Sequence, residues 1–132
     1  MSQPPLIIIA EDEPDAAHLV EYRLKRSGLQ TMIAPDGLAA LNTTMERRPD
    51  LLILDLMLPH MHGLEVCRLL KTSPTTRYIP ILLLTALASP GNKLKGFGRG
   101  ADDYMTKPFE MSELVARVFA LLLRAAKVSP AA

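Results

Sequence analysis

Three apolar runs in this chain lead directly into a side chain that can do chemistry. Leu51-Leu52-Ile53-Leu54 runs into Asp55, Leu6-Ile7-Ile8-Ile9-Ala10 into Glu11-Asp12-Glu13, and Ile81-Leu82-Leu83-Leu84 into Thr85. A fourth, shorter stretch, Ala101–Met105, is followed by Thr106-Lys107-Pro108. A short apolar run bounded by turn residues suits a strand buried on both faces. The reactive residues then stand at the carboxyl ends of strands, the edge where open α/β sheets bind ligands. Three carboxylates meeting there (Glu11, Asp12, Asp55) repel each other unless a cation sits among them. Hard oxygen ligands with open water positions suit Mg²⁺ or Mn²⁺. A hydroxyl at Thr85 and an ammonium at Lys107 supply donors for an anion. A carboxylate can itself be a nucleophile and form an acyl phosphate. The set therefore makes a site for phosphoryl transfer onto Asp55, with metal and lysine offsetting charge on the transferring group. Each feature alone has a plainer explanation: Asp55 as a turn or capping residue, and residues 11–13 as an acidic helix start. Their joint placement at strand ends favours the site.

The elements that must position these residues follow from periodicity and breakers. The spacing predicts a strand over Leu6–Ala10 and a helix from Pro14 to about Ser27, with Ala16, Val20 and Leu24 inward and Gly28 just past its end. Gln30–Ala34 reads as an edge strand. Asp36 is placed to cap a helix reaching Arg47, with Leu38, Leu41 and Met45 on its inner face. The central strand ends at Asp55, Pro59 and Gly63 mark a loop, and a short helix then carries Val66, Cys67 and Leu70 inward. Ile79–Leu84 forms a fourth strand, its proline at the start where a lost donor costs little. A weak helix is expected between Ser89 and Gly100, since Gly91, Gly96 and Gly98 each cost ~1 kcal/mol against alanine. Ala101–Met105 is the fifth strand. A last helix runs from about Glu110 to Arg124 with Met111, Leu114, Val115, Val118 and Leu122 inward. Right-handed crossovers make this a single α/β domain: a three-layer (βα)5, doubly wound parallel sheet over 4–126, with 127–132 as a tail or the start of a linker.

Whole-chain properties exclude several functions. With 132 residues and 48% hydrophobic content, one core is expected. No apolar run approaches the ~20 residues that span a bilayer. The first residues lack the basic region of a signal peptide. The single cysteine, Cys67, excludes an intrachain disulfide and suits a reducing, cytoplasmic setting. A net charge of +1 and the absence of tryptophan give no basis for nucleic-acid binding by this domain.

From Leu6 to about Arg124 the chain resembles the receiver domain of two-component response regulators (the CheY-like, flavodoxin-like fold), most closely the OmpR/PhoB type. The resemblance rests on Ile9-Ala10-Glu11-Asp12-Glu13-Pro14, Leu54-Asp55-Leu56-Met57-Leu58-Pro59 with Gly63, Leu84-Thr85-Ala86, and Gly100-Ala101-Asp102-Asp103-Tyr104-Met105-Thr106-Lys107-Pro108-Phe109. It implies strand order 2-1-3-4-5. It implies that Asp55 accepts phosphate from a histidine kinase or phosphotransfer protein. Glu11, Asp12, Asp55 and the Met57 carbonyl would hold Mg²⁺, Thr85 and Lys107 would contact the phosphoryl group, and Tyr104 would switch with Thr85. It also implies a homodimer face around Lys93, Leu94, Phe97, Asp102, Asp103, Glu113, Arg117 and Arg124. Arg99 departs from the acid frequent in that subfamily. An output domain beyond residue 132 would be the controlled element.

The competing class is a hydrolase of the haloacid-dehalogenase type, also built on an aspartate nucleophile with Mg²⁺. It needs a second aspartate two residues on, where this chain has Met57. A nucleotide or flavin binder needs a Gly- or Ser/Thr-rich loop after the first strand, where Glu11–Glu13 would repel phosphate. His60 and His62 lack a third soft ligand and read as loop residues. Cys67 reads as an inert core residue.

Overall fold

The computed structural model describes residues 3–86 and 100–128, the last two by their backbone alone. Five strands form one parallel sheet in the order β2-β1-β3-β4-β5: β1 Leu6–Ala10, β2 Gln30–Ala34, β3 Leu51–Asp55, β4 Ile81–Thr85 and β5 Asp103–Thr106. The helices among the described residues are α1 Pro14–Arg26, α2 Gly37–Arg47, α3 Gly63–Thr72 and α4 Met111–Val128. Residues 89–99 of the helix expected between Ser89 and Gly100, with Lys93, Leu94, Phe97 and Arg99, lie outside the described residues.

Strand residues alternate between two cores. Ile7, Ile9, Leu51, Ile53, Leu82 and Leu84 pack with Val20 and Leu24 of α1 and with Leu114, Val118 and Leu121 of α4. Ile8, Leu52, Leu54, Ile81 and Leu83 pack with Ala40 of α2 and with Val66, Cys67 and Leu70 of α3. Every residue of β3 and β4 is buried, because helices cover both faces of these strands. β2 is an edge strand, as its mixed polarity suggests.

Three expectations are corrected. On α2 the buried stripe is Gly37, Ala40 and Thr44, while Leu38 is 46% and Met45 42% exposed and Leu41 packs at the margin. Small residues let this helix lie close to the sheet and the neighbouring loop, so its rotation follows from closeness rather than from its largest side chains. β5 begins two residues later than expected. Asp102 meets β4 first, its carboxylate accepting from Ile81 N at 2.8 Å while its own N–H donates to Ile81 O at 2.9 Å. The last helix continues to Val128, beyond its expected end at about Arg124, through the strong helix formers Ala125, Ala126 and Lys127. Smaller shifts of phase put Ala17 rather than Ala16, and Leu121 rather than Leu122, among the buried residues.

Candidate functional site

Because all strands run parallel, their carboxyl ends share one edge. Ala10 is level with Leu54, Asp55 with Leu84, and Thr85 with Thr106. Glu11, Asp55, Thr85 and Lys107 therefore arrive side by side. Glu11 and Asp55 are each only 6% exposed, whereas Asp12 faces solvent. One carboxylate oxygen from each of the three lies within 4.8 Å of the others.

Lys107 reaches into this cluster. Its Nζ lies 2.5 Å from Asp55 Oδ2 and 2.9 Å from Glu11 Oε1. Its main chain is tied to β4 by a hydrogen bond from Lys107 N to Thr85 O at 2.8 Å. Burial pulls the ammonium pKa down, but the hydrogen bonds it donates to Asp55 and Glu11, with their negative charge, outweigh that, and the pKa is raised. Lys107 is thus a fixed positive charge at neutral pH. The remaining carboxylate oxygens bond to the main chain: Asp55 Oδ1 accepts from Met57 N at 3.0 Å, and Glu11 Oε2 from Glu13 N at 3.1 Å.

The loop after Asp55 is packed tightly onto the end of β3. Gly63 opens α3, and its N–H donates to Leu56 O at 2.9 Å. A Cβ there would stand 2.6 Å from Asp55 O, so only glycine admits this approach. His62 caps α3, with Nδ1 accepting from Leu64 N at 3.2 Å. Met57, two residues past Asp55, is 57% exposed. Thr85 is buried at the end of β4, and Tyr104 is partly buried against the core on the α2–α3 side.

Asp103 of β5 and Glu113, Arg117 and Arg124 of α4 are engaged within the chain. Arg117 Nη1 bonds both oxygens of Asp103 at 2.9 and 2.8 Å, and its Nη2 meets Glu113 at 3.2 Å. The Asp103 hydrogen bonds are the main reason that the Arg117 pKa is raised. Asp102 pairs with Lys71 at 3.0 Å, and Lys71 also donates to Ile79 O at 2.6 Å. Arg124 donates to Asp102 O at 3.3 Å.

Sequence reasoning passed over Gly37. Its N–H donates to Pro59 O at 3.0 Å, seating α2 on the loop that follows Asp55. The available signal was a glycine directly after the capping Asp36, a place where glycine does nothing for helix propensity. The capping itself is as expected, with Asp36 Oδ1 accepting from Ala39 N at 2.7 Å.

The donor set fits a hard divalent cation: only carboxylates, two of them anchored by hydrogen bonds, and an exposed third on the solvent side. Residues 7–119 match the response regulator receiver domain family, and the chain belongs to it. Among curated proteins it is 43% identical to the DNA-binding dual master transcriptional regulator RpaA of Synechocystis, covering 97% of this chain and 53% of that protein. It is 44% identical to the phosphate regulon transcriptional regulatory protein PhoB of Rhizobium meliloti, covering 92% of this chain and 53% of that one. These are response regulators of the OmpR/PhoB type, and the chain spans about half of their length. A solved receiver domain of a sensor histidine kinase from Pseudomonas aeruginosa, described with magnesium coordinated in its active-site cleft, superposes with a TM-score of 0.83. That pair is 28% identical over 90% of this chain and 98% of the other. The family match decides for the receiver domain, a signalling domain, over the haloacid-dehalogenase alternative. No helix among the described residues is long and apolar enough to cross a membrane.

Proposed function

We propose that Asp55 is the phosphoacceptor of this receiver domain, taking a phosphoryl group from a histidine kinase or phosphotransfer protein. The observation that carries this is the convergence on Asp55 of Lys107, Glu11 and Asp12 at one sheet edge. Glu11, Asp12, Asp55 and the Met57 carbonyl would hold Mg²⁺, or Mn²⁺ in its place, which would supply positive charge against the transferring group. An Asp55 carboxylate oxygen attacks the phosphorus, and as the new O–P bond forms the P–N bond to the donor histidine breaks and its imidazole leaves. Met57 N–H, bonded to Asp55 Oδ1, holds the carboxylate in one rotamer for that attack. Lys107 stays charged beside the acceptor and balances the added phosphoryl oxygens. Thr85 then contacts the phosphoryl group, and Tyr104 follows Thr85 between two conformations of the domain.

The domain comprises 4–126, and its chemistry is limited to its own phosphorylation and slow dephosphorylation. Its setting is cytoplasmic. Its output belongs to a further domain beyond residue 132, a proposal supported by relatives about twice as long as this chain. A homodimer through β5, α4 and the residues around Lys93, Leu94 and Phe97 would exchange the intrachain pairs of Asp103, Glu113 and Arg117 for pairs between chains, with Asp102 and Arg124 at its margin.

The test is intact-mass spectrometry after incubation with acetyl phosphate and Mg²⁺. One acid-labile phosphate adduct is expected on the wild type, and none on Asp55→Asn or after chelation of the metal. Equal modification of Asp55→Asn would refute the assignment.

A further inference from the structure

The turn that follows Asp55 is held from outside its own strand and helix. Pro59 O accepts from Met61 N at 2.8 Å across a three-residue turn centred on His60, whose φ is 69°. A γ-turn with positive φ at its centre is the rarer, strained kind. Such strain persists only where the surroundings over-determine it. Here the surroundings are Gly37, the first residue of α2. Its N–H donates to the same Pro59 oxygen at 3.0 Å. A Cβ on Gly37 would stand 2.7 Å from the Met61 carbonyl carbon and 2.9 Å from Met61 Cβ, and would overlap the Met61 carbonyl oxygen. The obstacle is backbone, which cannot rotate aside. At its base the same loop is closed by Gly63 N–H on Leu56 O at 2.9 Å. Between these two fixed points lies Met57, whose N–H holds Asp55 Oδ1.

We infer that Gly37 is a positioning residue for the acceptor site. Through Pro59 and the 59–61 turn, α2 sets where the Met57 main chain stands relative to Asp55, and so sets the affinity for Mg²⁺. The inference rests on the metal site proposed above and adds α2 as its outer support. A side chain at position 37 displaces the turn, and the displacement is passed along a short loop closed at both ends.

The experiment is an Mg²⁺ titration of the whole 132-residue chain, followed by amide chemical shifts, for wild type, Gly37→Ala and Leu121→Ala. Leu121 lies in the opposite core and controls for general loss of stability. Gly37→Ala is expected to shift the metal-free amides of 55–57 and to bind Mg²⁺ about fivefold more weakly, a change of roughly 1 kcal/mol. Leu121→Ala is expected to bind as the wild type does. If Gly37→Ala does not fold, hydrogen exchange in the wild type decides. Coupling between sites is reciprocal, so Mg²⁺ should slow exchange of the Gly37 and Met61 amides. Wild-type affinity in Gly37→Ala, equal weakening in Leu121→Ala, or amides at 37 and 61 indifferent to Mg²⁺ would each overturn the role of Gly37. A wild type that binds no Mg²⁺ at Glu11, Asp12 and Asp55 would instead overturn the underlying site, and this inference with it.

Discussion

Glu11 and Asp55 are buried carboxylates that share one cationic partner, the Lys107 ammonium. Removing that partner leaves two like charges facing each other in a place water reaches poorly. Lys107→Met is therefore expected to destabilise the metal-free chain by about 1–3 kcal/mol. Mg²⁺ should recover more stability in this variant than in the wild type, because it replaces the missing charge. Urea unfolding with and without Mg²⁺ measures both. Identical recovery in the two proteins would show that Lys107 does not balance the carboxylates. Met57, whose N–H bonds Asp55 Oδ1, is exposed, and its thioether is at best a weak acceptor for orienting water. Hydrolysis of an Asp55 phosphate needs a water in line with the phosphorus. Met57→Asn is expected to speed decay of the phosphate about threefold to tenfold, ~1 kcal/mol in barrier, as followed at fixed Mg²⁺ and pH without a kinase. Slower or unchanged decay would reject shielding by Met57.

At the scale of elements, α2 is the informative helix. It turns Gly37, Ala40 and Thr44 to the sheet and leaves Leu38 and Met45 in solvent. Its close seat makes it intolerant of volume on the inner side. Ala40→Leu is expected to cost about 1–3 kcal/mol through overpacking, while Leu38→Gln should stay within about 0.5 kcal/mol of the wild type. Denaturant midpoints decide, and the reverse ranking would contradict the observed rotation of the helix. The β4–β5 junction shows another use of local chemistry. Lys71 joins Asp102 to the carbonyl of Ile79, so α3 helps to hold the start of β4 and thereby the strand that delivers Thr85.

For the whole molecule, the site collects loops from separate strands, and the cation proposed for it would bind only where they have been brought together. Under that proposal Mg²⁺ would act as a ligand of the folded state. At tenfold excess over its dissociation constant it should add about 1.4 kcal/mol of stability, which for a domain of this size raises Tm by roughly 3–6 °C. Asp12→Ala should largely abolish the rise in a thermal scan, and a full rise in that variant would remove Asp12 from the ligand set. The pairs that Arg117 makes with Asp103 and Glu113 are partly exposed, and exchanging them for pairs between chains changes little in energy. Any dimer through this face must then draw its affinity from apolar contact.

Much of this organisation is local and so was legible in the chain itself. Apolar runs ending in Asp55, Glu11-Asp12 and Thr85 mark buried parallel strands and the edge they share, because a strand covered on both faces needs no polar alternation. Asp36 carried its capping role in its type and position, and Gly63 marked the loop that follows Asp55. What only the tertiary structure decided depends on how closely two backbones approach. The rotation of α2 and the contact of Gly37 with Met61 are of this kind, since hydrophobic periodicity records where large side chains fall and is blind to contacts made by absent ones. The partners of Asp102 and Asp103 were likewise undetermined by spacing, for a charge on a strand can be met by Lys71 or Arg117 of the same chain as well as by a neighbour.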